Sequence, residues 1–156
     1  MLLARLLKYL TRFRVQSKVG SLHAILVRRS RGMIRRSRLL AGGQPVLALT
    51  TTGRQSGELR RTVVAYVEHG DGYAVGALNL GSDRDPAWCL NLRANPRATV
   101  TVAGKTTAVR AREAKGPEAE ELWQRFERQL PQTRNTRRVA RREVPVLVLE
   151  PTTEPD

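Results

Sequence analysis

The sequence predicts an α+β domain built on a small antiparallel β-barrel of six short strands. Three observations predict it. After Pro45 the chain turns into successive short runs rich in Val, Thr and Leu, the residue types that suit a half-buried pleated surface. The turn signals His69-Gly70-Asp71-Gly72 and Gly104-Lys105 join neighbouring runs as local hairpins. Only two helical segments interrupt the β-type texture, and local hairpins with few helices favour closure into a barrel over a parallel sheet. A chain of 156 residues with 40% apolar content is enough for one ordinary core.

Residues 1–44 read as a basic helical extension, 45–151 as the barrel domain, and 152–156 as a frayed tail. In the extension, Leu2, Leu3, Leu6, Leu7, Leu10 and Phe13 recur at helical spacing, with Arg5, Lys8 and Arg12 on the other side. This helix is too interrupted by charge to span a bilayer and has no unbroken apolar core of a signal peptide. Its leucine face suits either an anionic membrane surface or the protein's own core. A second short helix is expected over Ser21–Val27, followed by a basic loop over Arg28–Gly43.

The strands are expected at Val46–Thr52, Thr62–Glu68, Tyr73–Leu78, Ala98–Ala103, Thr106–Arg112 and Val144–Glu150. The first inserted helix is expected over Pro86–Ala94, with proline in its first turn. The second, Pro117–Leu130, carries Glu118, Glu120 and Glu121 at its positive end and turns Leu122, Trp123 and Phe126 inward.

Net charge is +14, and no Asp or Glu precedes Glu58. A second basic cluster comprises Arg134, Arg137, Arg138, Arg141 and Arg142. Such fields attract polyanions. The excess of Arg over Lys either favours bidentate contacts to phosphate or carboxylate or reflects a GC-rich genome. Few aromatics and no recognised motif argue against specific nucleic-acid binding. One cysteine, Cys89, excludes an internal disulfide and multi-cysteine zinc sites, and His23 and His69 lack ligand spacing, so no metal is expected.

Two segments carry most of the chemical signal. Thr50-Thr51-Thr52-Gly53-Arg54-Gln55-Ser56-Gly57 runs from a strand into a turn with two glycines, a hydroxyl and a guanidinium. It reads either as an ordinary hairpin turn or as an anion cradle, in which backbone N–H groups and Arg54 converge on a phosphate or carboxylate. Arg60 and Arg61 follow on opposite faces of the next strand, so that one reaches the same pocket. The spacing is neither a P-loop nor a dinucleotide fingerprint. In the second segment, Trp88, Asn91 and Asn95 share a helix face that either contacts a planar ligand or fills the barrel end. Cys89 has no base to activate it and reads as a buried structural thiol. Asp83 and Asp85 read as solvated loop carboxylates. With no reactive group of its own, an enzyme of this kind leaves the chemistry to a cofactor.

Together these segments resemble a known family. Leu49-Thr50-Thr51-Thr52-Gly53-Arg54-Gln55-Ser56-Gly57, Asp71-Gly72-Tyr73, Pro86-Ala87-Trp88-Cys89-Leu90-Asn91-Leu92-Arg93-Ala94-Asn95-Pro96 and Val144-Pro145-Val146-Leu147-Val148-Leu149-Glu150-Pro151 look like the deazaflavin-dependent nitroreductases of actinobacteria. The resemblance runs from about Pro45 to Pro151. It implies a split β-barrel, of the FMN-binding split-barrel type, that binds coenzyme F420, an 8-hydroxy-5-deazaflavin whose tail carries a phosphate and several glutamates. It also implies an oxidoreductase that passes hydride from the reduced coenzyme to an organic acceptor such as a quinone or nitroaromatic.

The resemblance assigns Arg54, Gln55, Ser56 and Gly57 to the loop that holds the coenzyme's acidic tail, with Arg60 at a following basic position. Ala87, Trp88 and Asn91 match the helix along the deazaflavin ring. Gln55 stands where relatives commonly have lysine, and Val63 where they often have proline. On the acceptor side, Leu78 replaces a serine, and Leu130, Thr133 and Thr136 stand where relatives place tyrosines. No catalytic residue is assigned, and the acceptor is expected beside Trp88 and the Leu130–Arg142 segment. The second arginine cluster would then face an acidic acceptor. The expected setting is the cytoplasm, peripheral on the inner face of the membrane through the N-terminal helix, with a homodimer as the expected assembly. The competing reading is a basic nucleic-acid-binding or coenzyme-carrying module without reductase activity.

Overall fold

The computed structural model describes residues 44–153. The expected N-terminal helix, the helix over Ser21–Val27 and the basic loop over Arg28–Gly43 lie outside the described residues. The described chain forms β1 (Val46–Thr52), β2 (Leu59–His69), β3 (Gly72–Gly76), a 3-10 turn (Asn79–Gly81), α1 (Ala87–Ala94), β4 (Arg97–Val102), β5 (Lys105–Glu113), α2 (Gly116–Gln129), α3 (Gln132–Val139) and β6 (Val146–Pro151).

The six strands close into an antiparallel barrel in the order β1-β2-β3-β6-β5-β4, with β4 returning to pair with β1. Consecutive strands pair through tight connections, which is why β2–β3 and β4–β5 are hairpins. The chain leaves the barrel twice, once through α1 between β3 and β4 and once through α2 and α3 between β5 and β6.

Alternation along the strands makes two cores. Leu47 and Leu49 of β1, Val75 of β3, Val100 of β4, Val109 of β5 and Leu147 and Leu149 of β6 point inward, with Tyr66, Cys89 and Leu92. Val146 and Val148 of β6 point outward with Val67 and Ala74, under Leu122, Trp123, Phe126 and Leu130 of the α2 region. Because β6 is covered on both faces, its sequence is a continuous apolar run, not an alternating one. Each fully buried aliphatic side chain here contributes about 1.5–3 kcal/mol relative to exposure. Trp123 approaches the sheet at Gly76 so closely that a Cβ there would stand 2.8 Å from the indole ring, and the indole N–H donates to the Val144 carbonyl.

Several element bounds differ from expectation for local reasons. β2 begins at Leu59 because Leu59, Arg60 and Arg61 pair in register with Thr52, Thr51 and Thr50. β3 stops at Gly76, since Asn79, Leu80 and Gly81 all take positive φ. Pro86 is the extended residue before α1, with ψ 152°, and is not part of its first turn. Thr152 is not frayed, because its N–H donates to the Ala108 carbonyl. Helix α3 was not anticipated. It is a polar helix that buries only Thr133 and is tied down by charge: Arg134 pairs with Glu127, Arg137 with Glu120, and the Arg137 guanidinium stacks 5.0 Å from the Trp123 ring centre.

Candidate functional site

At one end of the barrel the β1–β2 turn and the first half of α1 enclose a cavity of about 440 Å³. The turn is closed by the Gly53 N–H on the Glu58 carbonyl and the Gly57 N–H on the Gly53 carbonyl. Gly57 needs its φ of +70° to make this reversal, which is why the position suits glycine. A side chain at Gly53 would meet the Ser56 hydroxyl at 2.9 Å.

Arg54, Gln55, Ser56 and Arg60 line this cavity on one side, and Ala87, Trp88 and Asn91 on the other. Gly57 shapes the turn without lining the cavity. The structure therefore brings seven of the eight sequence-selected residues around one space. It also adds Arg61, Thr51, Thr62 and Gly53. Both arginines of the Arg60-Arg61 pair reach the cavity, not one, because the strand end stands at the barrel rim. Arg61 Nε is buried without a hydrogen-bond partner among the described residues. Such an atom is costly to leave unsatisfied, so it marks a place where an acceptor belongs. Thr51 and Thr62 had a signal in the sequence: Thr51 pairs in register with Arg60, and Thr62 follows Arg60 two positions on, on the same face of β2.

Asn91 lines the cavity and also ties its two walls together. Its side chain is buried, its amide nitrogen donates to Thr51 Oγ1 at 3.1 Å, and its amide oxygen accepts the Arg54 N–H at 3.1 Å. Both ends of the amide are occupied within the protein, so Asn91 fixes the turn to α1. The Arg54 N–H is accordingly not offered to an anion. Arg60 is oriented by Glu58 at 2.8 Å and by the Ser56 hydroxyl at 3.3 Å. The arrangement is thus a cationic rim of three guanidiniums facing an indole and a methyl group, a set able to hold a molecule that is anionic at one end and planar at the other.

A family model described as F420H(2)-dependent quinone reductase matches residues 21–151. The chain belongs to that family. An F420H(2)-dependent quinone reductase of Mycobacterium tuberculosis strain H37Rv is 34% identical over 105 residues, covering 66% of this chain and 69% of the relative. A solved structure described as an F420-H2 dependent reductase superposes with a TM-score of 0.63 at 32% identity, covering 68% of this chain and 94% of the other. A second, described as a domain-swapped dimer, matches equally at 32% identity and TM-score 0.63, with 68% and 80% covered. The deazaflavin resemblance read from the motifs is borne out, as is the barrel. As a member of the F420H(2)-dependent quinone reductases, the protein is an oxidoreductase whose cofactor is coenzyme F420.

Among the described residues, the other groups singled out in the sequence lie away from this cavity. Cys89 is fully buried on the inner face of α1, and burial pushes its thiol up to about 11, so it stays protonated and unreactive near neutrality. Asp85 is not a solvated loop carboxylate; it is largely buried and holds both Arg93 and Arg142. The Leu130–Arg142 segment is absent from the cavity wall. Leu130 and Leu78 pack in the outer core around Trp123, Thr133 is buried, and the Thr136 hydroxyl donates to the Gln132 carbonyl. The second arginine cluster is largely consumed at home: Arg134, Arg137 and Arg142 all have carboxylate partners within the chain.

Proposed function

We propose that the cavity between the β1–β2 turn and α1 holds coenzyme F420, with its phosphate and glutamate tail on Arg54, Gln55, Ser56, Arg60 and Arg61 and its ring along Ala87 and Trp88. Asn91 and Gly57 act by shaping the turn. The observation that carries this reading is the pairing of three guanidiniums, one with an unsatisfied buried nitrogen, against a flat apolar wall in one space. A multiply charged tail requires the first and a planar heterocycle the second. When bound, the reduced coenzyme supplies a hydride. The protein's own residues would hold the anionic tail and orient the ring.

A quinone is the acceptor this reading favours, in keeping with the family. A nitroaromatic is the alternative substrate. The acid-free stretch before Glu58 supports a cytoplasmic enzyme that visits the anionic inner face of the membrane, where lipid-soluble quinones reside. A homodimer is the assembly proposed, by likeness to the domain-swapped relative. The test is an anaerobic steady-state assay of reduced F420 oxidation by a water-soluble quinone and, separately, by a nitroaromatic. Turnover with the quinone that is lost on Arg54→Glu supports the reading, and turnover indifferent to Arg54→Glu contradicts it. Co-sedimentation with anionic vesicles, before and after removal of residues 1–20, tests the membrane arm.

A further inference from the structure

The residues that face the proposed ring all sit on α1, a helix of eight residues with no side-chain cap at its N-terminus. Something outside the helix must set its pose. The chain from Ala77 to Asp85, which leads into α1, has little regular structure and carries three successive positive-φ residues, Asn79, Leu80 and Gly81. Such backbone does not hold a pose unless its surroundings over-determine it.

Asn79 Nδ2 donates to the Arg84 carbonyl and the Arg141 N–H to Asp83 Oδ1, but only one side chain ties the segment at several points along its length. Arg142, which follows α3 and is only 13% exposed, donates from Nε to the Ser82 carbonyl at 2.9 Å, from Nη2 to the Ala77 carbonyl at 2.7 Å, and from Nη1 to the Asp85 carboxylate and to the Glu143 carbonyl at 3.3 Å. It therefore grips the connecting segment at its start, middle and end. The other oxygen of Asp85 accepts from Arg93 Nη1 at the far end of α1, and Arg93 continues to Glu113 of β5. The guanidinium fork is needed for this, since its planar donors reach three carbonyls and a carboxylate at once.

We infer that Arg142 is a positioning residue for coenzyme binding: through Asp85 it fixes the start of α1 and hence the placement of Ala87 and Trp88 at the ring end of the cavity. This inference rests on the coenzyme reading above and extends it to a residue outside the cavity. The consequence is a helix already set before the coenzyme arrives. A displacement of about 1 Å at such a wall is enough to cost binding and turnover by tenfold or more.

The test compares two variants by titration with oxidised F420, recording both affinity and the absorbance spectrum of the saturated complex. Wild type that fails to bind, or Arg54→Gln that binds as well as wild type, overturns the coenzyme reading itself. Arg54→Gln is expected to weaken binding while leaving the bound spectrum unchanged. Arg142→Lys, which keeps the charge but not the fork, is expected to weaken binding roughly tenfold and to shift the bound spectrum, because the ring meets a displaced wall. A wild-type affinity and spectrum in Arg142→Lys overturns the inference. Should that variant not fold, amide hydrogen exchange on wild type decides. Residues 77–94 are expected to be protected already without F420, and protection that appears only on binding overturns the preset helix.

Discussion

The side-chain amide of Asn91 in α1 stands between Thr51 of β1 and the backbone of Arg54, donating to one and accepting from the other at 3.1 Å each. One buried amide thereby locks the cationic turn to the helix that carries Trp88, and the two walls of the cavity cannot move independently. Replacing Asn91 with Ala leaves the Thr51 hydroxyl and the Arg54 N–H without partners. Expected outcomes are a stability loss of about 1–3 kcal/mol in denaturant unfolding and a weakened coenzyme affinity, with both walls intact in composition. Unchanged affinity in a folded Asn91→Ala protein would show that the turn needs no such lock.

Gly76 and Trp123 give a second prediction. Adding a Cβ at Gly76 places it 2.8 Å from the indole ring, which is fixed by its bond to Val144. Gly76→Ala is therefore expected to destabilise the protein by about 1–3 kcal/mol, the usual penalty of overpacking a dense core. Equal melting temperatures for the two proteins would contradict the packing described.

Cys89 predicts a chemical silence. Its folded thiol, raised by burial to about 11, is expected to resist a disulfide reagent at mildly alkaline pH and to react at once after unfolding in guanidinium. The stability sign follows from the same shift. Below the unfolded thiol's ordinary value the buried neutral form carries no penalty, and as pH rises from about 9 through about 11 the unfolded state ionises first and stability falls. Cys89→Ala should remove that alkaline component without removing reductase activity.

Glu118 predicts the acid limb. The Arg112 guanidinium, bonded at 2.7 and 2.8 Å, with His69 behind it, holds this carboxyl down to about 2. A depressed carboxyl contributes its stability above the unfolded value and loses it as pH falls from about 4.5 through about 2. Glu118→Gln is expected to flatten that part of the stability-versus-pH curve. A variant whose acid unfolding parallels wild type would contradict the assignment.

The strands and the two apolar helices were legible because their signals are local. Leu47 and Leu49, or Leu122, Trp123 and Phe126, declare their faces by period alone. The cavity residues from 54 to 60 and 87 to 91 were legible as a pattern of motifs, not from any single one. What was not legible is held by partners distant in sequence. α3 has no apolar period and exists through Arg134–Glu127, Arg137–Glu120 and the stacking of Arg137 on Trp123. Asp85 looked solvated because its partner Arg142 lies 57 residues away. The structural role of Asn91 was hidden because nothing local announces that Thr51 and Arg54 bond to its amide.

Whether the Arg54 rim binds the anionic tail of F420 is decided by an equilibrium fluorescence titration of the coenzyme against wild type and Arg54→Glu. Saturable quenching by wild type at low salt is predicted, weakening as salt rises and falling at least about tenfold on charge reversal, since truncated or reversed charge contacts of this kind commonly cost 2 kcal/mol or more. Equal binding by the two proteins, or no change in coenzyme fluorescence with wild type at low salt, would contradict it.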